Sequence, residues 1–106
     1  MVDIAEKLRG YGVEVHDIER YIFFLARRTA YSFRMSDFTA DLCAIAWIRL
    51  CEIIRLYEPR EGIHFMVYCR ISLKGAIKRA CLQEKRWRSH QIIKPLEELE
   101  RVVTSE

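Results

Sequence analysis

Proline and glycine are scarce, with only two of the first and four of the second in the chain. That scarcity excludes collagen-like, linker-rich and many-turned β architectures, because those need frequent φ > 0 positions or breaks in the backbone ladder. No stretch alternates apolar and polar residues long enough to give a half-buried strand, and there is no internal repeat or low-complexity tract. Long apolar runs are missing too: stretches such as Leu42 to Ile48 are far too short to span a bilayer. The N-terminus MVDIAEKLRG lacks the basic-then-apolar order of a signal peptide, so a soluble cytoplasmic protein without a membrane partner is expected. Histidine is limited to His16, His64 and His90, none with an acid or cysteine at ligand or triad spacing. The four cysteines, Cys43, Cys51, Cys69 and Cys81, form no CxxC pair. Zinc, cofactor and nucleophilic-triad chemistry are therefore not expected, and buried free thiols are the expected state of the cysteines. Asp41, Glu52, Glu58 and Glu61 read as caps, turn residues and solvated faces, so no enzyme is expected.

What the chain does have is apolar content, 51% of 106 residues, enough for one small domain with a real core. The apolar spacing predicts an all-α fold of four to five helices packed as a compact bundle. A short helix from Asp3 to Arg9 ends at Gly10 and Gly12. Asp17 is the expected N-cap of a second helix, in which Ile18, Tyr21, Ile22, Leu25, Ala26 and Thr29 recur at helical spacing as far as about Phe33. Ser36 or Asp37 is expected to cap a third that reaches Tyr57, where Pro59 and Gly62 break the pattern. A fourth is expected from about Ile63 to Arg86. Beyond Trp87 the apolar pattern fades, and a short amphipathic piece starts at Pro95, a favoured first helical position. Residues 1–90 thus read as the domain and 91–106 as a linker-like tail.

Net charge is only +3, so placement matters more than total. Arg70, Lys74, Lys78 and Lys85 follow one another at helical spacing in the fourth helix and form a cationic stripe; Arg79, Arg86 and Arg88 enlarge it. A solvated helix face explains such a stripe as well as phosphate binding does. The third helix carries Leu42, Cys43, Ala46, Leu50, Ile53, Ile54 and Tyr57 for a core, and then Ile45, Trp47 and Ile48 besides. A helix apolar nearly all round is buried nearly all round. Its cover is either another chain or the short N-terminal helix. Trp87, in QEKRWRSH, reads as an anchor for the tail more than as a base-stacking residue.

The block from Asp41 to Ala80 resembles domain 2 of bacterial sigma factors. That pattern is Asp-Leu, a bulky apolar helix, an aromatic-acid-Pro turn with Arg and Gly, then aromatics and Ile-Arg-Gly-Ala-Ile. The collinear matches are Asp41, Leu42, Ile48, Leu50, Tyr57, Glu58, Pro59, Arg60, Gly62, Phe65, Tyr68, Lys74, Gly75, Ala76 and Ile77. The tail KPLEELERVVTSE resembles the connector to a −35 reading domain 4, of which nothing follows in this chain. The resemblance implies binding of the RNA polymerase core, through its β′ subunit, by Asp41, Leu42, Ala44, Ile45, Trp47, Ile48 and Cys51. It implies binding of promoter −10 DNA by Tyr68, Arg70, Lys74, Lys78, Arg79 and Lys85, and leaves three explanations for the missing domain 4: a piece cut from a longer chain, one half of a two-subunit factor with a domain 4-bearing companion subunit, or a domain recruited to another task.

The chain departs from the pattern at identifiable places. Ala44 and Ile45 replace the Gln-Glu that grips the polymerase coiled coil, and Arg49 replaces a glycine. Ile71 and Ser72 stand where housekeeping members carry two tryptophans, and Met66-Val67 where they carry Ser-Thr. In this it is similar to the flagellar and stress-response groups. The alternative expectation is a sigma-derived module that self-associates or binds a regulator through Ile45, Trp47 and Ile48.

Overall fold

In a computed structural model of the chain, which describes residues 4–57 and 64–104, four α-helices and one 3₁₀ turn follow in sequence, with no strand among those residues. The first, α1 (Ile4–Gly10), ends on a Schellman motif. The Val13 amide donates to the Leu8 carbonyl at 2.8 Å and the Gly12 amide to the Arg9 carbonyl at 2.9 Å. Gly12 takes the left-handed φ of 77° that this motif requires, and Leu8 and Val13, both buried, supply its apolar contact.

Helix α2 (Val15–Ser32) starts three residues earlier than its expected first turn. Glu14, in extended conformation, occupies the N-cap position, and Asp17 lies inside the first turn instead of before it. The C-terminus repeats the Schellman geometry, with the Met35 amide donating to the Ala30 carbonyl at 2.8 Å and the Arg34 amide to the Tyr31 carbonyl at 3.0 Å. Here the left-handed position, φ 59°, is filled by Arg34 and not by glycine. A 3₁₀ turn (Ser36–Phe38) leads into α3 (Thr39–Leu56), which has no side-chain cap: neither Ser36 nor Asp37 serves. The Thr39 hydroxyl donates to the Ser36 carbonyl, and the Asp37 carboxylate is engaged elsewhere.

The break expected at Glu58 to Gly62 lies outside the described residues. Helix α4 (Phe65–Thr104) begins beyond it, and His64, which reads as isolated in the sequence, accepts from the Met66 amide through Nδ1 at 3.2 Å, an N-cap contact. The helix does not stop at Arg86. It runs on to Thr104, 40 residues in all, through Pro95 and the stretch that reads as linker. The helix persists where the apolar periodicity fades because Gln, Lys, Leu and Glu, which are frequent there, are all good helix formers.

The core is made of one buried residue per turn along α4, namely Phe65, Cys69, Leu73, Ile77 and Cys81, against Leu42, Ala46, Leu50, Ile53 and Ile54 of α3 and Ile18, Ile22, Leu25, Ala26 and Ala30 of α2. No polar or charged side chain is buried among the described residues. Tyr11, Tyr57 and Phe65 close the lower end, with Tyr11 and Phe65 stacked at 4.3 Å and Tyr57 edge-on to Phe65 at 5.1 Å. At the other end Arg88 clasps the 3₁₀ turn. Its guanidinium donates to both Asp37 oxygens, at 2.7 and 3.2 Å, and to Glu84 at 3.1 Å, and it sits 5.8 Å from the Phe38 ring centre. Beyond this clasp α4 extends past the bundle. The radius of gyration, 19.2 Å, exceeds the roughly 13 Å of a compact chain of this size for that reason. Among the described residues no helix is long and apolar enough to cross a membrane.

Candidate nucleic-acid and partner interfaces

A core residue at every fourth position fixes which way the intervening side chains of α4 point. Arg70, Lys74 and Lys78 each follow a buried residue by one, so they share the flank that looks toward α2. Contacts place Arg70 and Lys74 there, together with Lys85 farther along the helix. The Arg70 guanidinium lies 5.9 Å from the Tyr21 ring centre, Lys74 joins Arg28, Thr29 and Ser32 in lining a trough between α2 and α4, and Lys85 lies 5.7 Å from the Phe33 ring centre. The trough holds about 370 Å³, within the range of roughly 300–1,000 Å³ usual for ligand clefts. Arg70, Lys74, Lys78 and Lys85 are exposed, and among the described residues none has a carboxylate in salt-bridge reach. The stripe is therefore one wall of a groove whose other wall, from α2, also carries cations.

The rest of the expected DNA set is not brought together with it. Tyr68 lies on the opposite flank of α4, 5.6 Å from the Tyr57 ring, and is 38% exposed. Arg79 points to the back of the helix, over Gly75, with its Nη1 3.7 Å from where a Cβ on that glycine would stand. Arg88, read as part of the basic surface, is neutralised by Asp37 and Glu84. Those carboxylates hold its pKa above the usual arginine value, and the Arg88 hydrogen bond holds the Asp37 carboxyl below the usual carboxylate range. Trp87 is more than half exposed and does not anchor anything by burial. Burial raises the Tyr21 hydroxyl pKa, against the lowering effect of Arg70.

On α3 the expected partner set divides as well. Leu42 is fully buried and serves the core, which removes it from any contact surface. Asp41, Ala44, Ile48 and Cys51 are exposed on the outer side. Ile45 and Trp47 are half-buried: Trp47 borders a groove with Phe23, Phe24 and Cys43 toward α2, and Ile45 lies one turn before Arg49, which reaches α4 through a 2.8 Å bond to the Ser72 hydroxyl. Both proposed covers of the apolar face bear on this. Helix α1 does pack on α3, setting Ile4 and Lys7 beside Ile48, Cys51 and Ile54, yet Ile48 remains 62% exposed.

The four thiols are unpaired. Cys69 and Cys81 are buried as expected, Cys43 is half-buried and Cys51 is exposed, contrary to the expectation of buried thiols throughout. Burial pushes the Cys69 thiol up to about 12 and raises Cys43 and Cys81 as well. No group of three or more His, Cys, Asp or Glu that could hold a metal occurs among the described residues.

Sequence reasoning missed the α2 wall. Its signal was present: from Arg20 to Ser36 there are four arginines and no acidic residue. No protein-family model, curated protein or solved structure matches the chain.

Proposed function

We propose that the chain is a sigma-like transcription-initiation subunit, acting in the cytoplasm without a cofactor or catalytic step. It engages the RNA polymerase core through the exposed side of α3 and promoter −10 DNA through α4, and works with a companion that reads the −35 element. The observation that supports this best is the row of exposed cations Arg70, Lys74 and Lys78 without carboxylate partners among the described residues. Cations in such a row neutralise successive phosphates and release their counterions, giving affinity that falls steeply with salt. The collinear motif residues from Asp41 to Ile77 are what support polymerase as the partner.

Size-exclusion chromatography with light scattering, on the chain alone and mixed with core RNA polymerase, tests it. Co-elution, and loss of promoter binding in Lys74→Glu/Lys78→Glu, is expected. A chain that ignores polymerase sinks the proposal. One observation favours a second reading, that of an interaction module: Ile48 at 62% exposure and Phe23 and Phe24 beside Trp47 leave apolar surface open. A stable dimer that Ile48→Gln/Trp47→Asn dissolves would select that reading.

A further inference from the structure

Cations that hold phosphates leave the bases to be accommodated, and on α4 the aromatic expected to do so, Tyr68, lies on the wrong flank. The flank that carries Arg70, Lys74 and Lys78 faces α2. There the outer surface presents Phe24 and Tyr31, seven residues apart and hence on one face. Phe24 is 60% and Tyr31 78% exposed, the latter the highest value among the exposed large apolar side chains. Arg27 and Arg28 lie between them and Arg34 follows. Phe24 borders the α2–α4 trough directly, and Ser32 joins that trough to a second hollow lined by Tyr31, Arg34 and Ser36. Aromatic faces, hydroxyls and unopposed guanidiniums thus alternate along one continuous path.

Resting on the nucleic-acid reading above, we propose that the outer face of α2 is a stacking platform for single-stranded nucleic acid: Phe24 and Tyr31 receive unpaired bases while Arg28, Arg34 and Lys74 hold the phosphates. Charge complementarity favours this occupant, since no acidic residue falls between Arg20 and Ser36. The ordering Phe–Arg–Arg–Tyr suits it also, because stacking on an exposed ring accepts any base and needs it unpaired. Arg34 is the third sign. It holds a left-handed position that glycine fills in the matching turn after α1, so a cation stands where the backbone alone favours none.

The test is fluorescence anisotropy of the full chain with a labelled oligothymidylate of about 20 nucleotides, which spans the site sizes of single-strand binders, and with a duplex of equal length. Phe24→Ala/Tyr31→Ala removes only exposed rings, so the fold is retained, as circular dichroism will verify. It is expected to weaken single-strand binding by about ten-fold or more, the loss that stacking of one or two bases implies. Duplex affinity and the salt slope of duplex binding stay unchanged, and Tyr31→Trp preserves single-strand binding. Lys74→Glu lowers affinity for both probes. A double variant that binds the single strand like the parent overturns the platform and leaves the DNA reading of α4 standing. A parent chain that binds neither probe, or that selects an acidic amphipathic peptide over both, overturns the two together.

Discussion

Three residue types, an arginine, an aspartate and the cysteines, take roles that their chemistry alone does not announce. Arg34 sits at φ 59°, where an L-residue other than glycine is strained. Arg34→Gly is expected to raise stability by about 0.5–1 kcal/mol in urea unfolding while weakening single-strand binding. A variant that is both less stable and equally tight in binding would contradict this. Asp37 is the second. Because Arg88 depresses its pKa in the folded chain, its contribution is complete above the unfolded carboxylate value of about 4 and disappears as pH falls through the folded value. Asp37→Asn should accordingly lower the melting temperature slightly at neutral pH, the effect being small because the pair is exposed, and the gap to the parent should close below about pH 4. Thermal melts across that range decide it, a pH-independent gap being the contrary result. Cysteine is the third. With its thiol pushed to about 12 and no exposure, Cys69 should resist alkylation in the native state, as should Cys81, while Cys51 reacts first; counting labelled sites by mass spectrometry before and after denaturant measures this.

At the scale of helices, α2 touches every other described element, and so does α3. Leu50→Ala there, or Leu73→Ala opposite on α4, should cost about 2–5 kcal/mol, whereas Ile48→Gln on the open side should be nearly neutral in the same denaturation experiment. Helix identity was legible because apolar residues recur every three to four positions wherever a helix meets the core, and the arrest after α1 was legible from Gly12. The far half of α4 was not. Periodicity reports burial, and a helix that leaves the bundle carries no such record. The stripe on α4 could be read from the spacing of Arg70, Lys74 and Lys78, and the misplacement of Tyr68 too, since two residues' separation turns a helix by about 200°. What no spacing reveals is which helix the stripe faces, or that Arg88 is consumed by Asp37, 51 positions away.

For the whole molecule, scattering in solution should return a radius of gyration near 19.2 Å for a monomer, with the excess over a compact sphere carried by α4. The separation between inside and outside is complete. Among the described residues every buried side chain is apolar, and the departures from the resembled pattern divide accordingly: Leu73, at an Ile position, stays apolar in the core, whereas Ala44, Ile45, Arg49, Met66, Val67, Ile71 and Ser72 lie on the exposed or half-buried surface. The interior asks its residues for apolar volume, and on the outside a few contacts such as the Arg88–Asp37 clasp bear on the fold, which leaves much of the remaining exterior open to substitution. Such a protein keeps its scaffold and its recognition surfaces on largely separate sets of residues. A few substitutions on the exposed faces of α2 or α3 can therefore change what the molecule recognises at little cost in stability.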